Sequence, residues 1–483
     1  MPLLFGLVLA LGLAACSDAV VDLGGTAKQS KADSAAPDSG EGDDGGGAEH
    51  DAGKSSMDAA TPLDAGELDA ASDASRDSGA PLDAGSDATI PDPIVTGSVV
   101  SVAAGDQTSC AILSDKRVAC WGRNDSAQLA LPPRSHATCV DCEPRPVEVP
   151  ALHGATQLAL GHSHGCALLN GDVVCWGRNA FGELGLGKSD LLLHETPAKV
   201  AIANVVELAA GNGFTCARNS TNQLFCWGLG QRGELTVDPT TLGGCAAPPD
   251  LIASAGLEGR ATSVACSKTP LQASVPSAVK KIAAGAYHGC AIDSSDALYC
   301  WGSNLRGELG LNKQSVTEPP TMVLSNVSDM ALGTSHSCAI SGGAVSCWGQ
   351  GVFGQLGNGA NTFTVTTPTA APSAGNALSL AAGDAHTCAI DDTHVVRCTG
   401  ANDWDQLGVA GPDSCSISGL TTECARNFTV TGLPTNISKL ALGNAHGCLV
   451  SDGKALCWGD NTYGELGVIG KSRSLSALEA LAP

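Results

Sequence analysis

Residues 158–187 read LALGHSHGCALLNGDVVCWGRNAFGELGLG, and variants of this stretch make seven copies along the chain. The others begin near Val102, Leu208, Ile282, Met330, Leu380 and Leu440. Each holds a small-residue turn ending in Gly, a Cys, a short hairpin, a second Cys, usually Trp-Gly, and often a Gly-x-Leu ending. The motif glycines are Gly105, Gly161, Gly211, Gly285, Gly333, Gly383 and Gly443, so a unit of about fifty residues repeats, with three longer versions. A period of that size signals a propeller, solenoid or array.

The hairpin inside each copy fixes its own register. Pairing Cys166 with Cys175 sets Leu169 opposite Asp172 and leaves Asn170-Gly171 as a two-residue turn. Asn-Gly suits a type I′ turn, whose central residues both take positive φ. Gly342-Gly343 between Cys338 and Cys347, and Asp452-Gly453 between Cys448 and Cys457, repeat the arrangement. The paired cysteines then occupy a non-hydrogen-bonded site, where Cα atoms approach to roughly 4.5 Å, within disulfide reach. Cys110 with Cys120, Cys216 with Cys226, Cys290 with Cys300 and Cys388 with Cys398 carry one more residue and fit a three-residue loop. All seven pairs read as cross-strand disulfides.

The chain has 21 cysteines. With Cys16 set aside and fourteen in hairpins, six remain: Cys139 with Cys142, Cys245 with Cys266 and Cys415 with Cys424, one pair in each long unit. Insertions with their own staple suit an oxidising compartment. The N-terminus agrees. Residues 1–15, MPLLFGLVLALGLAA, form an apolar segment too short to span a membrane and typical of a secretory signal. Leu13-Ala14-Ala15-Cys16 resembles the bacterial lipobox, which implies lipidation of Cys16 as the mature N-terminus; a plain secretory signal is the alternative. By the same resemblance Ser17, in place of an inner-membrane-retaining Asp, points to the outer membrane or cell surface.

Residues 16–93 form the lipidated Cys and an Ala/Asp/Gly/Ser tether. Residues 17–93 hold 18 acids and 4 bases, while the remainder of the chain holds 31 and 22, so the tether supplies most of the net charge of −23. Such a composition buries too little apolar surface to offset chain entropy, and as a random coil it would reach roughly 50 Å. Residues 94–483 then run as one repeat domain. In the second unit, strands are expected at Val147–Val149, Thr156–Leu160, Cys166–Leu169 and Val173–Trp176. Seven four-stranded units imply an all-β fold, a seven-bladed β-propeller. An open solenoid is the alternative.

The pattern L-A-x-G-x-x-H-x-C-A-L followed by C-W-G-x-N-x-x-G-E-L-G resembles the regulator of chromosome condensation repeat family. The resemblance covers nearly the whole domain. It implies seven blades and a closure in which the chain ends share a blade, with SALEALAP at the C-terminus as a candidate closing strand. The sixth copy departs with Thr399 in place of Trp, and the first with Ala130 in place of Gly. The family includes a nuclear GTPase exchange factor, and a secreted bacterial propeller resembling it inhibits β-lactamase through its loops. The exchange activity is not carried over to an acidic, exported chain.

Candidate chemistry weighs lightly. His164, His288, His336, His386 and His446 recur two residues before the first Cys, but Thr108 and Phe214 interrupt that ring, so bracing of the inner turn explains them better than a metal. His136-x-x-Cys139-x-x-Cys142 has zinc-like spacing without an evident fourth ligand; metal, redox and disulfide-staple readings remain open, with the staple preferred. Trp121, Trp176, Trp227, Trp301, Trp348 and Trp458 read as core between blades, and Trp404 as a filler for the gap at Thr399. Glu183, Glu234, Glu308 and Glu465 alternate with Gln128, Gln355 and Gln406, which suits turn bracing better than glycoside hydrolysis. No H-E-x-x-H motif is present.

The expected function is that of a surface-tethered, non-catalytic module that binds an unknown protein through loops on one face. The insertion from Thr236 to Pro276 is its candidate contact. Glycan or cell-wall binding and a structural coat are the alternatives. No cofactor and no nucleic-acid partner are expected, and the membrane is met only through the lipid.

Overall fold

The computed structural model describes residues 95–136, 139–247, 263–417 and 420–481. The signal segment, Cys16 and the tether lie outside the described residues, as do residues 248–262 of the long insertion. Among the described residues no helix is long and apolar enough to cross a membrane.

Seven antiparallel sheets span 99–148, 155–199, 205–272, 279–324, 327–370, 377–430 and 437–481, each from one contiguous segment. The chain is an all-β seven-bladed propeller. In the second blade the strands are Ala155–Leu160, His164–Leu169, Asp172–Asn179 and Asp190–Lys199. The central hairpin has Cys166 opposite Cys175 and Leu169 opposite Asp172. Asn170 and Gly171 have φ of 53° and 87°, as a type I′ turn demands.

Each of the seven hairpins carries its disulfide. Cys110 is joined to Cys120, Cys166 to Cys175, Cys216 to Cys226 and Cys290 to Cys300. Cys338 is joined to Cys347, Cys388 to Cys398 and Cys448 to Cys457. In all seven the Cα atoms are 4.1 Å apart. That is inside the roughly 4.5 Å of an unlinked pair at such a site, as the covalent bond draws the strands together. The four longer hairpins, those closed by Cys120, Cys226, Cys300 and Cys398, do have three-residue loops. Each loop ends on a left-handed residue: Lys116, Asn222, Asp296 and His394, with φ of 68°, 65°, 65° and 61°.

Three features differ from the sequence reading. Val147 and Glu148 pair with Cys120 and Ala119 as part of the first blade's outer strand, Cys142–Glu148, and Val149 follows that strand. They do not open the second blade. A meander read linearly carries no mark of where one sheet stops, and the long loop between third and fourth strands disguised the pairing. The third and sixth blades gain a fifth strand, Gly243–Ala246 beside Ser263–Gln272 and Asp413–Ile417 beside Leu420–Val430. Finally, among the described residues the two ends of the chain do not share a blade. The last strand, Arg473–Leu481, does complete the seventh blade, but all four strands of that blade come from 437–481.

Closure relies instead on a joint like the other six. Seven apolar clusters lie one per joint, and the one between blades seven and one joins Val99, Leu113 and Trp121 to Val450, Leu466 and Leu481. The Val99 N–H donates to Gly453 O at 2.7 Å, and the Asn444 N–H to Asp106 O at 2.8 Å. The motif glycines explain the tightness of the hub. A Cβ on any of the seven would fall no more than 2.8 Å from the carbonyl oxygen of the next motif glycine, with Gly443 facing Gly105. Here glycine serves close approach, not a special φ.

Candidate functional site

In an antiparallel meander the first and third strands of a blade run the same way. The turn after the first strand and the loop after the third therefore emerge on one face of the ring. That face carries the seven turns that follow the motif glycines, the seven loops ending in Glu-Leu or Gln-Leu, and all three stapled insertions. The opposite face carries the tight cysteine-hairpin turns and the short connections between blades.

The loops are held firmly. In every blade a carboxylate or amide oxygen accepts the backbone N–H two residues upstream, at 2.7–2.9 Å: Gln128, Glu183, Glu234, Glu308, Gln355, Gln406 and Glu465. In five blades an Asn also accepts the following Leu N–H, as Asn461 does from Leu466 at 2.8 Å. The acids thus brace turns. Burial pushes Glu234 up to about 7, and burial together with Asp460 pushes Glu465 well above the usual carboxylate range.

The residues whose N–H groups are so held are Ser126, Phe181, Arg232, Arg306, Phe353, Trp404 and Tyr463. Six of the seven are aromatic or Arg, the types that dominate binding energy at protein interfaces. Arg306, Phe353, Trp404 and Tyr463 are half-buried. Arginines stack on rings around the annulus: Arg123 on Tyr463 at 5.2 Å, Arg178 on Phe181 at 5.7 Å, Arg232 on Tyr287 at 4.4 Å and Arg306 on Phe363 at 4.6 Å. The repeated position is readable in the sequence as the residue two before Glu or Gln, but its residue type changes from copy to copy and gives no pattern of its own.

Inside this annulus lie Asp106, His162, Asn212, Thr334, Asp384 and Asn444, each directly after a motif glycine. Asp106 sits 3.1 Å from His162 and accepts from Asn444 Nδ2 at 2.9 Å. Burial works to raise Asp106, but His162 and Asn444 hold it below the usual range. Burial, helped by Asp106, pushes Asp384 up to about 6. Asn212 Nδ2 donates to the Tyr287 hydroxyl at 2.7 Å. The hub is polar, with acidic and amide groups facing the axis and arginines outside them.

Each of the five histidine rings packs on the motif glycine of its own turn, and four of them also hydrogen-bond across the joint to the next blade. Nε2 of His164, His288, His336 and His446 meets the hydroxyl of Thr215, Ser337, Thr387 and Ser109 at 2.8–2.9 Å. Each hydroxyl donates in turn to the backbone carbonyl of a bracing Glu or Gln, at 2.7–3.1 Å. The same Glu183, Glu308 and Glu465 carbonyls accept from Trp227, Trp348 and Trp121 Nε1. His386 faces Gly447, which has no hydroxyl, and both its ring nitrogens are buried without a hydrogen-bond partner. Burial holds all five imidazoles neutral, at about 3 to 4. Among the described residues no group of three His, Cys, Asp or Glu side chains is placed to hold a metal ion.

The six motif tryptophans are fully buried. Trp404 is not a core filler: it sits in the loop annulus. The gap at Thr399 is filled by Phe428, 4% exposed, which occupies the space beside Gly357 that Trp227 and Trp348 occupy beside Gly185 and Gly310. Cys139–Cys142, Cys245–Cys266 and Cys415–Cys424 are disulfides with Cα separations of 6.0, 5.8 and 5.9 Å. The 236–276 insertion is smaller than its sequence span, because Ser263–Gln272 is the third blade's own outer strand. Its described base packs Ala247 and Val264 onto Ala180, Phe181 and Leu229.

Comparison with known proteins matches this architecture. A family profile described as an RCC1-like domain matches residues 76–416, and one for the regulator of chromosome condensation (RCC1) repeat matches residues 437–465. The ultraviolet-B receptor UVR8 of Arabidopsis thaliana is 27% identical over 325 residues, 64% of this chain and 66% of that protein. The human E3 ubiquitin-protein ligase HERC2 is 25% identical over 371 residues, 64% of this chain but 7% of the ligase. The chain spans less than two thirds of the length of either relative. Yeast RCC1 (Prp20) solved bound to Kap60 shares the fold with a TM-score of 0.61 and 22% identity, covering 79% of this chain and 85% of that one. Prp20p of Saccharomyces cerevisiae, described with its binding to Gsp1p and histones, gives 0.56 and 22% over 72% and 80%.

Proposed function

The chain belongs to the RCC1-like domain family, and from that premise we propose that it is a non-catalytic binding propeller that grips a protein partner through its loop face. The observation that carries this reading is the annulus of Arg306, Phe353, Trp404 and Tyr463, four partly exposed interface-type residues on loops already fixed by backbone hydrogen bonds; Phe181 and Arg232, at the same position in their blades, are buried. Rigid presentation lowers the ordering cost of binding, which otherwise consumes much of an interface's gain. Prp20p, a fold relative, is described as binding Gsp1p, histones and Kap60; the use of a propeller for protein partners supports the reading without naming this chain's partner.

The partner is met outside the reducing cytosol. Ten disulfides support export, and anchorage through a lipid at Cys16 follows from the lipobox resemblance. A nucleic-acid partner is disfavoured by the net charge of −23. A glycan reading rests on Trp404 alone, since the other six tryptophans are fully buried; sugar protection of Trp404 fluorescence tests it.

The test is affinity capture by the oxidised domain from envelope extract and spent medium of the producing organism, run with two triple variants. Arg306→Ala, Trp404→Ala and Tyr463→Ala alter the loop face; Asp172→Ala, Lys199→Ala and Lys454→Ala alter the hairpin face. One partner held at near-equal stoichiometry, lost with the first triple and kept with the second, is the expected result. No stoichiometric partner, or equal retention by both, rejects the reading. The long insertion is tested separately by replacing residues 238–262 with a short Gly/Ser linker together with Cys266→Ser, which spares the outer strand.

A further inference from the structure

The loop face carries one cysteine unlike the others. Of the twenty in disulfides, nineteen are at most 3% exposed, whereas Cys139 is only partly buried. Its neighbour Val140 is 69% exposed, so the sulfur lies beside an open stretch of chain. Cys139–Cys142 also spans the fewest residues, a separation of 3 against 9 to 21 elsewhere. In the chain-entropy account a cross-link stabilises less as the loop it closes shortens, so this bond is the one the fold can best spare. Asp141, inside the loop, has a φ of 50°, a left-handed conformation that an Asp holds at some cost.

From these observations we propose that Cys139–Cys142 is a thiol–disulfide exchange site for low-molecular-weight thiols, while the other nine disulfides are structural. The attacking thiolate forms a bond to Cys139 Sγ, the bond to Cys142 breaks, and Cys142 leaves as a thiolate. A second thiolate then attacks the external sulfur of the mixed disulfide, releasing an oxidised thiol dimer and Cys139 as thiolate. Two thiols are oxidised to one disulfide and the protein's disulfide is reduced to two thiols. Attack falls on Cys139 because Cys142 is completely buried.

The location makes exchange consequential. Cys139 Sγ lies 3.9 Å from the Tyr463 carbonyl oxygen, across the joint between the first and seventh blades. The staple is tied into its loop by His136 N–H to Cys139 O at 2.8 Å, Cys142 N–H to Arg134 O at 3.1 Å and Asn124 N–H to Asp141 O at 2.7 Å. Opening the bond frees this insertion beside Tyr463 and its stacked partner Arg123, so reduction reshapes one edge of the annulus without touching the buried hairpins.

The experiment exposes the full oxidised chain to graded mixtures of reduced and oxidised glutathione in native buffer, followed by acid quench, alkylation and peptide mass spectrometry. Cys139 and Cys142 should become alkylated at a reduced-glutathione concentration about tenfold or more below that needed for any other pair. The glutathione adduct should map to Cys139. Opening in step with the buried pairs, or an adduct on Cys142, overturns the proposal. Cys142→Ser, which leaves Cys139 as a lone accessible thiol, should accumulate a stable adduct from oxidised glutathione while folded. A Cys142→Ser chain that takes up none overturns it equally.

Discussion

Glu234→Gln isolates the cost of burying an ionisable brace. Glu234 is 0% exposed, and Oε2 accepts the Arg232 N–H at 2.7 Å while Oε1 has no hydrogen-bond partner among the described residues. Desolvation raises its pKa from 4.5 to about 7. A group whose folded pKa is raised binds its proton more tightly when folded, so the protein gains stability from it as pH falls from about 7 towards 4.5, and lacks that contribution above 7. Gln copies the neutral acid: it keeps the oxygen acceptor, and its unpaired donor replaces the unpaired O–H. At one pKa unit per 1.36 kcal/mol, the shift is worth about 3 kcal/mol. Guanidinium unfolding of the oxidised wild type and variant should therefore show Glu234→Gln more stable by about 3 kcal/mol at pH 8 and nearly equal at pH 4.5. A gain independent of pH, or a loss at pH 8, would falsify the burial argument. Blades one, five and six already carry Gln at this position.

Three further outcomes follow from the joints and loops. His386→Phe removes an imidazole whose two nitrogens are unpartnered and reproduces Phe214, which faces Gly289 in the third joint. It should stabilise the fold, increasingly below pH 6.5, because the folded imidazole titrates at about 3 and the wild type loses stability as the unfolded one charges; a thermal-melt series across pH 5–8 checks this. Ala130 holds a φ of 57° where Gly185, Gly310 and Gly467 stand in other copies, so Ala130→Gly should gain about 1 kcal/mol in denaturant titration. Phe428→Ala should cost roughly 3–5 kcal/mol by opening a joint, whereas Trp404→Ala should change unfolding little and act on partner capture.

The hairpins were legible because short turns leave few choices: Asn170-Gly171, Gly342-Gly343 and Asp452-Gly453 each fix which cysteine faces which. Blade boundaries were not, since the pairing of Val147 with Cys120 depends on a loop of variable length and on no local propensity. The histidines were recognised as structural, but their partners lie about fifty residues away on the next blade, beyond what one copy of a repeat can show. Trp404 was misplaced for a related reason. Position in the repeat, not size and hydrophobicity, decides whether an aromatic ring is core or surface, and Phe428 reached the Thr399 gap from a different strand. The annulus leaves no sequence pattern because its members share a backbone role and not a residue type.

Hydrogen–deuterium exchange on the captured complex tests the central claim most directly. Protection is expected around 106–107, 287, 306, 353, 404 and 463, with the hairpin tips at 114–117, 170–171 and 452–453 unchanged. Protection confined to those tips, or to the outer strands such as Asp190–Lys199, would contradict recognition through the loop face.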